Sequence, residues 1–196
     1  MQQGVDIQAL KERFLEIYRT HITRDGSQEL LRWLEEKSDY FTAPASTKFH
    51  EAYEGGLLDH SLTVYDKLHP KAEGRYSEET IALCALMHDV CKTNLYRVSS
   101  RNVKNDVTGQ WEKVPYYTIE DRLPYGHGEK SVYMLSGFLR LSREEAMAIR
   151  WHMGGFDDAA GAGFGNTLRT AFEMYPLAVM LHISDMEAVY LKEPRE

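Results

Sequence analysis

An unbroken apolar run, Ile81-Ala82-Leu83-Cys84-Ala85-Leu86-Met87, is followed directly by His88-Asp89. No other stretch restricts this chain so strongly. Ser77 is suited to cap a helix start, and Glu78 and Glu79 in the next turn complement the helix dipole. The run that follows reads as a helix buried on every side. Such a helix delivers an imidazole and a carboxylate into the interior at its C-terminal end. A buried carboxylate without a partner costs several kcal/mol or loses its charge. A divalent cation satisfies both groups, because imidazole and carboxylate together suit first-row metals. An isolated His-Asp pair is common by chance. Here further candidate ligands lie along the chain: His60 before the pair, then His127, His152 and Asp185 after it.

The rest of the chain is mostly helical in pattern. Ile7, Leu10, Phe14 and Ile17 form one apolar stripe on a first helix over about residues 5 to 20. Asp25-Gly26 breaks the chain, and Ser27 is positioned to cap a second helix carrying Leu30, Leu31, Trp33 and Leu34. Pro44 and Gly55-Gly56 punctuate a less regular stretch. A third helix, from Leu57 to about Leu68, turns Leu57, Leu58, Leu62 and Tyr65 inward and sets His60 at the edge of that stripe. Taken alone, such a histidine is more often packed and hydrogen-bonded than metal-bound. Between Tyr96 and Ile119 the texture becomes β-like, with Thr108-Gly109 as a turn signal, which predicts a hairpin. Pro115 assigns its own segment to an edge strand.

His127 sits between Gly126 and Gly128, before a helix expected over about residues 129 to 139. Ser142-Arg143-Glu144-Glu145 is a capping box opening a helix with Ala146, Ile149, Trp151 and His152. Residues 153–165 hold five glycines with Asp157-Asp158 among them and read as a flexible loop. No Gly-Lys-Ser/Thr follows, so this is not a phosphate-binding loop. A last helix starts near Pro176 and carries Leu177, Val179, Met180, His182, Ile183, Asp185 and Val189.

Composition narrows the class. At 196 residues and 43% hydrophobic, the chain can bury a single-domain core without disulfides. Cys84 and Cys91 read as small buried residues in a reducing compartment. No basic segment precedes an apolar stretch at the start, and no run is long enough to span a bilayer. A cytoplasmic protein with no membrane partner is therefore expected. The net charge of −7 argues against a general grip on nucleic acid phosphates, a local basic patch aside.

In order, the candidate ligands run His, His-Asp, His, His, Asp. With Gly55-Gly56-Leu57-Leu58-Asp59-His60-Ser61-Leu62, His88-Asp89-Val90-Cys91-Lys92, Gly126-His127-Gly128, Trp151-His152 and Ser184-Asp185, the chain resembles the HD-domain superfamily of metal-dependent phosphohydrolases. The resemblance extends over residues 46–190. It implies an all-α HD-domain helical bundle with a small inserted β-hairpin. Residues 1–45 would be an N-terminal helical adjunct and residues 46–196 the hydrolase domain, the two forming one compact domain overall.

It further implies that His60, His88, Asp89 and Asp185 hold a first metal. His127 and His152 match the extra histidines of relatives with a second metal, Asp89 bridging. One or two ions of zinc, manganese, iron, nickel or cobalt suit these ligands. Asp89 and Lys92 would be the catalytic pair, with Lys92 contacting phosphate. The other reading of Lys92 is a solvated residue satisfying a helix end. His50, Lys130 and Arg150 are further candidates for substrate contact, and His182 for orienting Asp185. The chain departs from the pattern at Cys91, where glycine is usual.

The implied activity is hydrolysis of a small phosphomonoester or phosphodiester, a nucleotide or nucleotide-derived metabolite. Two alternatives use the same ligands: an HD-type dinuclear iron oxygenase and a non-catalytic metal-binding sensor module. Related exoribonucleases carry a nucleic-acid-binding domain for which this chain has no room. No motif fixes an oligomeric state.

Overall fold

The computed structural model describes residues 6–48, 51–161 and 166–191. Within them the chain is mostly helical, with one small antiparallel sheet. Helices α1 (Ile7–His21) and α2 (Ser27–Glu36) lead to α3 (Gly56–Ala72) and α4 (Glu78–Met87). A 3-10 turn (Val90–Lys92) follows, then strands β1 (Tyr96–Lys104) and β2 (Trp111–Ile119). The chain continues through α5 (Gly128–Ser136), α6 (Arg143–Trp151), a second 3-10 turn (Gly154–Phe156), α7 (Asp158–Gly161), α8 (Thr167–Met174) and α9 (Pro176–Tyr190). No helix among the described residues is long and apolar enough to cross a membrane.

The apolar run explains the arrangement. Every residue from Ile81 to Met87 is fully buried. A helix apolar all round needs neighbours on every side, and α4 packs on α1, α3 and α6, while α9 packs on α3 and α6. Ser77 caps α4 by accepting from the Thr80 backbone N–H at 3.2 Å. Tyr40 donates its hydroxyl to Leu86 O at 2.5 Å, satisfying a carbonyl at the end of α4.

Phe14, Tyr18, Leu30 and Leu34 belong to the same core cluster as Leu57, Leu83 and Leu181. The helices of residues 1–45 therefore bury their stripes in the core that supports the helices carrying the candidate ligands. A second tie is ionic. Glu145 in α6 accepts two hydrogen bonds from Arg24, at 2.7 and 2.8 Å, one from Thr80 at 2.9 Å and one from the Ser142 backbone N–H at 2.7 Å. The last of these completes the expected capping box.

Some boundaries differ from expectation. Helix α2 is capped by Gly26 rather than Ser27, because Gly26 has φ +86° and a Cβ there would lie 1.8 Å from Phe138 O. Helix α5 ends at Ser136, short of the expected Leu139. The glycine-rich stretch contains a 3-10 turn and α7, whereas residues 162–165 lie outside the described residues. The hairpin forms with Tyr96 opposite Ile119 and Lys104 opposite Trp111. Asn105 Oδ1 braces its turn by accepting from the Val107 and Thr108 backbone N–H groups, at 2.9 and 3.1 Å. With two strands both are edges, so Pro115 is accommodated.

Candidate metal centre

Helix ends bring the candidate ligands together. Gly55 (φ +79°) and Gly56 open α3, and a Cβ on Gly56 would lie 2.0 Å from Glu51 O. That close approach seats the first turn of α3, just before His60, against the preceding loop. His88 closes α4 and Asp89 follows it; His127 precedes α5; His152 closes α6; Asp185 lies on α9.

The six side chains converge. His60 Nε2 is 3.0 Å from Asp185 Oδ1, 3.3 Å from His88 Nε2 and 3.6 Å from Asp89 Oδ2. His88 Nε2 is 3.4 Å from Asp89 Oδ2. On the other oxygen, Asp89 Oδ1 lies 2.8 Å from His127 Nε2 and 3.5 Å from His152 Nε2. Three overlapping groups have ligand atoms close enough to hold a metal ion: His60-His88-Asp89, His88-His152-Asp185 and Asp89-His127-His152. Asp89 belongs to two of them, one through each side of the cluster.

The outer contacts fix which nitrogen faces inward. His88 Nδ1 donates to Ala85 O at 2.8 Å, and His152 Nδ1 donates to Ile149 O at 2.7 Å. A carbonyl only accepts, so the proton sits on Nδ1. In the neutral ring Nε2 then carries a lone pair. His152 Nε2 is buried with no hydrogen bond among the described residues, facing Asp89. His127 follows a related arrangement, with Nδ1 3.5 Å from Cys91 Sγ. Lone pairs directed at carboxylate oxygens in a buried cluster fit a bound cation, and this donor set suits a transition metal.

Burial opposes every charge here, and the partners outweigh it at all these groups except His152. Against burial, Lys92, His88 and His127 hold Asp89 well below the usual carboxylate range. Asp185 is held low, also against burial, by His60 and His88. Asp89 in turn raises Lys92 and His88 despite their burial. His127 is pushed up to about 10 by Cys91 and Asp89, again over the opposing effect of burial. Burial pushes His152 down.

A cavity of about 760 Å³ opens onto the cluster, with Asp89, Lys92, His127, His182 and Asp185 in its lining. Lys92 Nζ is 2.6 Å from Asp89 Oδ2. The remaining candidates are placed otherwise. Lys130 is buried and ion-paired with Asp121 at 2.6 Å. Arg150 pairs with Asp157 at 2.8 Å and with Glu129, and stacks on Trp151. Neither lines the cavity, and carboxylates already take up both charges. His182 donates from Nδ1 to His152 O at 2.6 Å and packs against Gly154, so it braces the backbone of His152 rather than Asp185. His50 lies outside the described residues.

Sequence reasoning missed the apolar walls of the cavity: Tyr96, Ile119, Met153, Phe156, Met186, Val189 and Tyr190. A signal existed on α9, where His182, Asp185, Met186 and Val189 follow helical spacing and share one face. The departure at Cys91 needs no special backbone. Cys91 is absent from the positive-φ residues, and its N–H donates to Ser131 Oγ at 3.2 Å.

Fold and site together define a mostly helical protein with a buried His/Asp cluster able to hold a metal ion. Comparison with protein-family models, with curated proteins and with solved structures finds no match to the chain.

Proposed function

We propose that this protein is a metal-dependent phosphohydrolase of the HD type, acting on a phosphomonoester or phosphodiester of nucleotide character. The observation that carries this reading is the position of Lys92: its ammonium meets the same carboxylate that joins the ligand groups, and it lines the same cavity. His60, His88, Asp89 and Asp185 would hold one ion, with His127 and His152 completing a second position around Asp89. A bound divalent cation there would supply a water of lowered pKa and polarise a phosphoryl oxygen.

The chain's own groups do the rest. Lys92 keeps its charge beside Asp89, and an ammonium has donors left over for a phosphoryl oxygen after pairing with one carboxylate. The carbonyls of Ala85 and Ile149 hold the proton on the outer nitrogen of His88 and His152. The apolar walls lower the local dielectric, which strengthens the attraction between Lys92 and an incoming phosphate.

The test is turnover of a panel of nucleotides and model phosphodiesters with manganese, iron, zinc, nickel or cobalt, in air and without oxygen. The reading expects phosphate ester cleavage that is indifferent to oxygen. It expects Lys92→Ala to lower kcat/KM by about tenfold or more while metal content is kept. Oxygen-dependent turnover would replace the hydrolase by an oxygenase. Ligand binding without turnover under any metal would leave a sensor.

A further inference from the structure

Three large apolar side chains stay exposed around the mouth of the metal-site cavity: Phe156 at 64%, Tyr190 at 69% and Ile119 at 62%. They come from three separate elements, the second 3-10 turn, the end of α9 and the end of β2. Single exposed apolar residues need no explanation, but several gathered on the rim of one cavity mark a contact site. Behind them, Tyr96, Met186 and Val189 continue the apolar lining inward to Lys92 and Asp89. Tyr96 is fixed in place, its hydroxyl donating to Ala45 O at 3.2 Å and its ring packed edge-on against Tyr117.

The lining is thus of two kinds. One part, with Asp89, Lys92 and Asp185, is ionic; the other is apolar and partly aromatic. Its volume of about 760 Å³ is in the range of whole small-molecule sites and exceeds what a phosphate group needs. Apart from the two imidazoles of His127 and His182 beside the cluster and the Tyr hydroxyls, Ser46 and Thr47 are the only uncharged polar side chains in the lining among the described residues, and no amide side chain lines it. Recognition at the apolar end therefore depends on area and stacking, with little reading of a hydrogen-bonding edge.

The geometry points to a substrate whose phosphate ester carries a flat aromatic group, a nucleobase, clamped between Phe156 and Tyr190 and selected for its face rather than its edge. This rests on the phosphohydrolase reading for the phosphate end, but the base clamp is testable by itself. A compact sugar phosphate would fill the ionic end and leave the apolar rim in water. A base of either class would cover it.

The experiment compares adenosine 5′-monophosphate, cytidine 5′-monophosphate and ribose 5-phosphate, which present the same phosphate with and without a base. Binding to the metal-loaded protein is measured by calorimetry and turnover by phosphate release. The clamp predicts that both nucleotides bind at least tenfold more tightly than ribose 5-phosphate, and within about fivefold of each other. Removal of one stacking ring weakens a base contact by about fivefold or more, so Phe156→Ala and Tyr190→Ala should each shrink the nucleotide preference by that factor. Tyr190→Phe should retain it.

Equal binding of all three compounds, or a preference unchanged in both alanine variants, overturns the clamp whether or not turnover occurs. Nucleotide-selective binding without cleavage removes the hydrolase and keeps the clamp. Sedimentation of the same variants covers the remaining use of an apolar rim. A change in oligomeric state with an unchanged nucleotide preference would make the rim a protein interface and contradict the proposal.

Discussion

His88 and His152 solve the same local problem in the same way. Each sits where a helix ends, and each returns Nδ1–H to the carbonyl three residues earlier. The contact satisfies a helix-terminal acceptor and at the same time directs Nε2 inward. His127 has no such carbonyl and turns Nδ1 toward Cys91 Sγ, 3.5 Å away. If this contact holds the ring, Cys91→Ala should weaken binding of a divalent metal by about tenfold or more, and Cys91→Ser should restore most of it. Competition with a chelating dye reads both affinities; equal affinities in all three proteins would remove Cys91 from the account.

Gly154 gives a second prediction at this scale. It has φ +55°, and a Cβ there would lie 2.5 Å from the His182 ring. Gly154→Ala should therefore cost about 1 kcal/mol or more in denaturant unfolding. A neutral effect would show that the His182 brace yields easily. The sequence made the six candidate ligands readable because each is hard to bury without a partner. It could not show that Lys130 and Arg150 spend their charge on Asp121 and Asp157, since those pairings depend on how loops fold back.

Among the elements, α4 was legible from its unbroken apolar run and the capped helices from Ser77 and Ser142. The hairpin was legible from β-branched and aromatic residues flanking Thr108-Gly109. The start of α2 was not, because the requirement for glycine at position 26 comes from Phe138, more than a hundred residues away. Helix α6 is held to the N-terminal half through Glu145, whose side chain is nearly fully buried. Despite burial, Arg24 and its other hydrogen-bond donors depress this carboxyl from 4.5 to about 2.

A depressed carboxyl stabilises the fold above its unfolded pKa and loses that contribution as pH falls toward its folded value. Stability should therefore drop by roughly 2–3 kcal/mol between pH 4.5 and about 2 on account of this group. Urea unfolding as a function of pH should show the slope in the wild type and a reduced slope in Glu145→Gln. The same slope in both would assign it to other carboxyls.

At the scale of the molecule, one core serves both the N-terminal helices and the five helices that bear or adjoin the candidate ligands. The resemblance makes residues 1–45 an adjunct within one compact whole. Phe14 and Tyr18 pack in the same cluster as Leu83 and Leu181. Side-chain burial across that boundary is a property of the assembled fold, which helical periodicity does not encode.

A cation held by α3, α4, α6 and α9 would join parts of the chain 125 positions apart, from His60 to Asp185. Binding only to the folded state stabilises it by about 2.7 kcal/mol at a hundredfold excess over Kd. For a chain of this size that raises Tm by roughly 5–10 °C. The most direct test of the central claim is metal content after dialysis against trace divalent transition metal, measured on wild type and Asp89→Ala with helicity checked by circular dichroism. The account predicts at least one ion per wild-type chain, essentially none in Asp89→Ala, and similar helicity in both. Equal metal content in the two proteins, or none in the wild type, would contradict it.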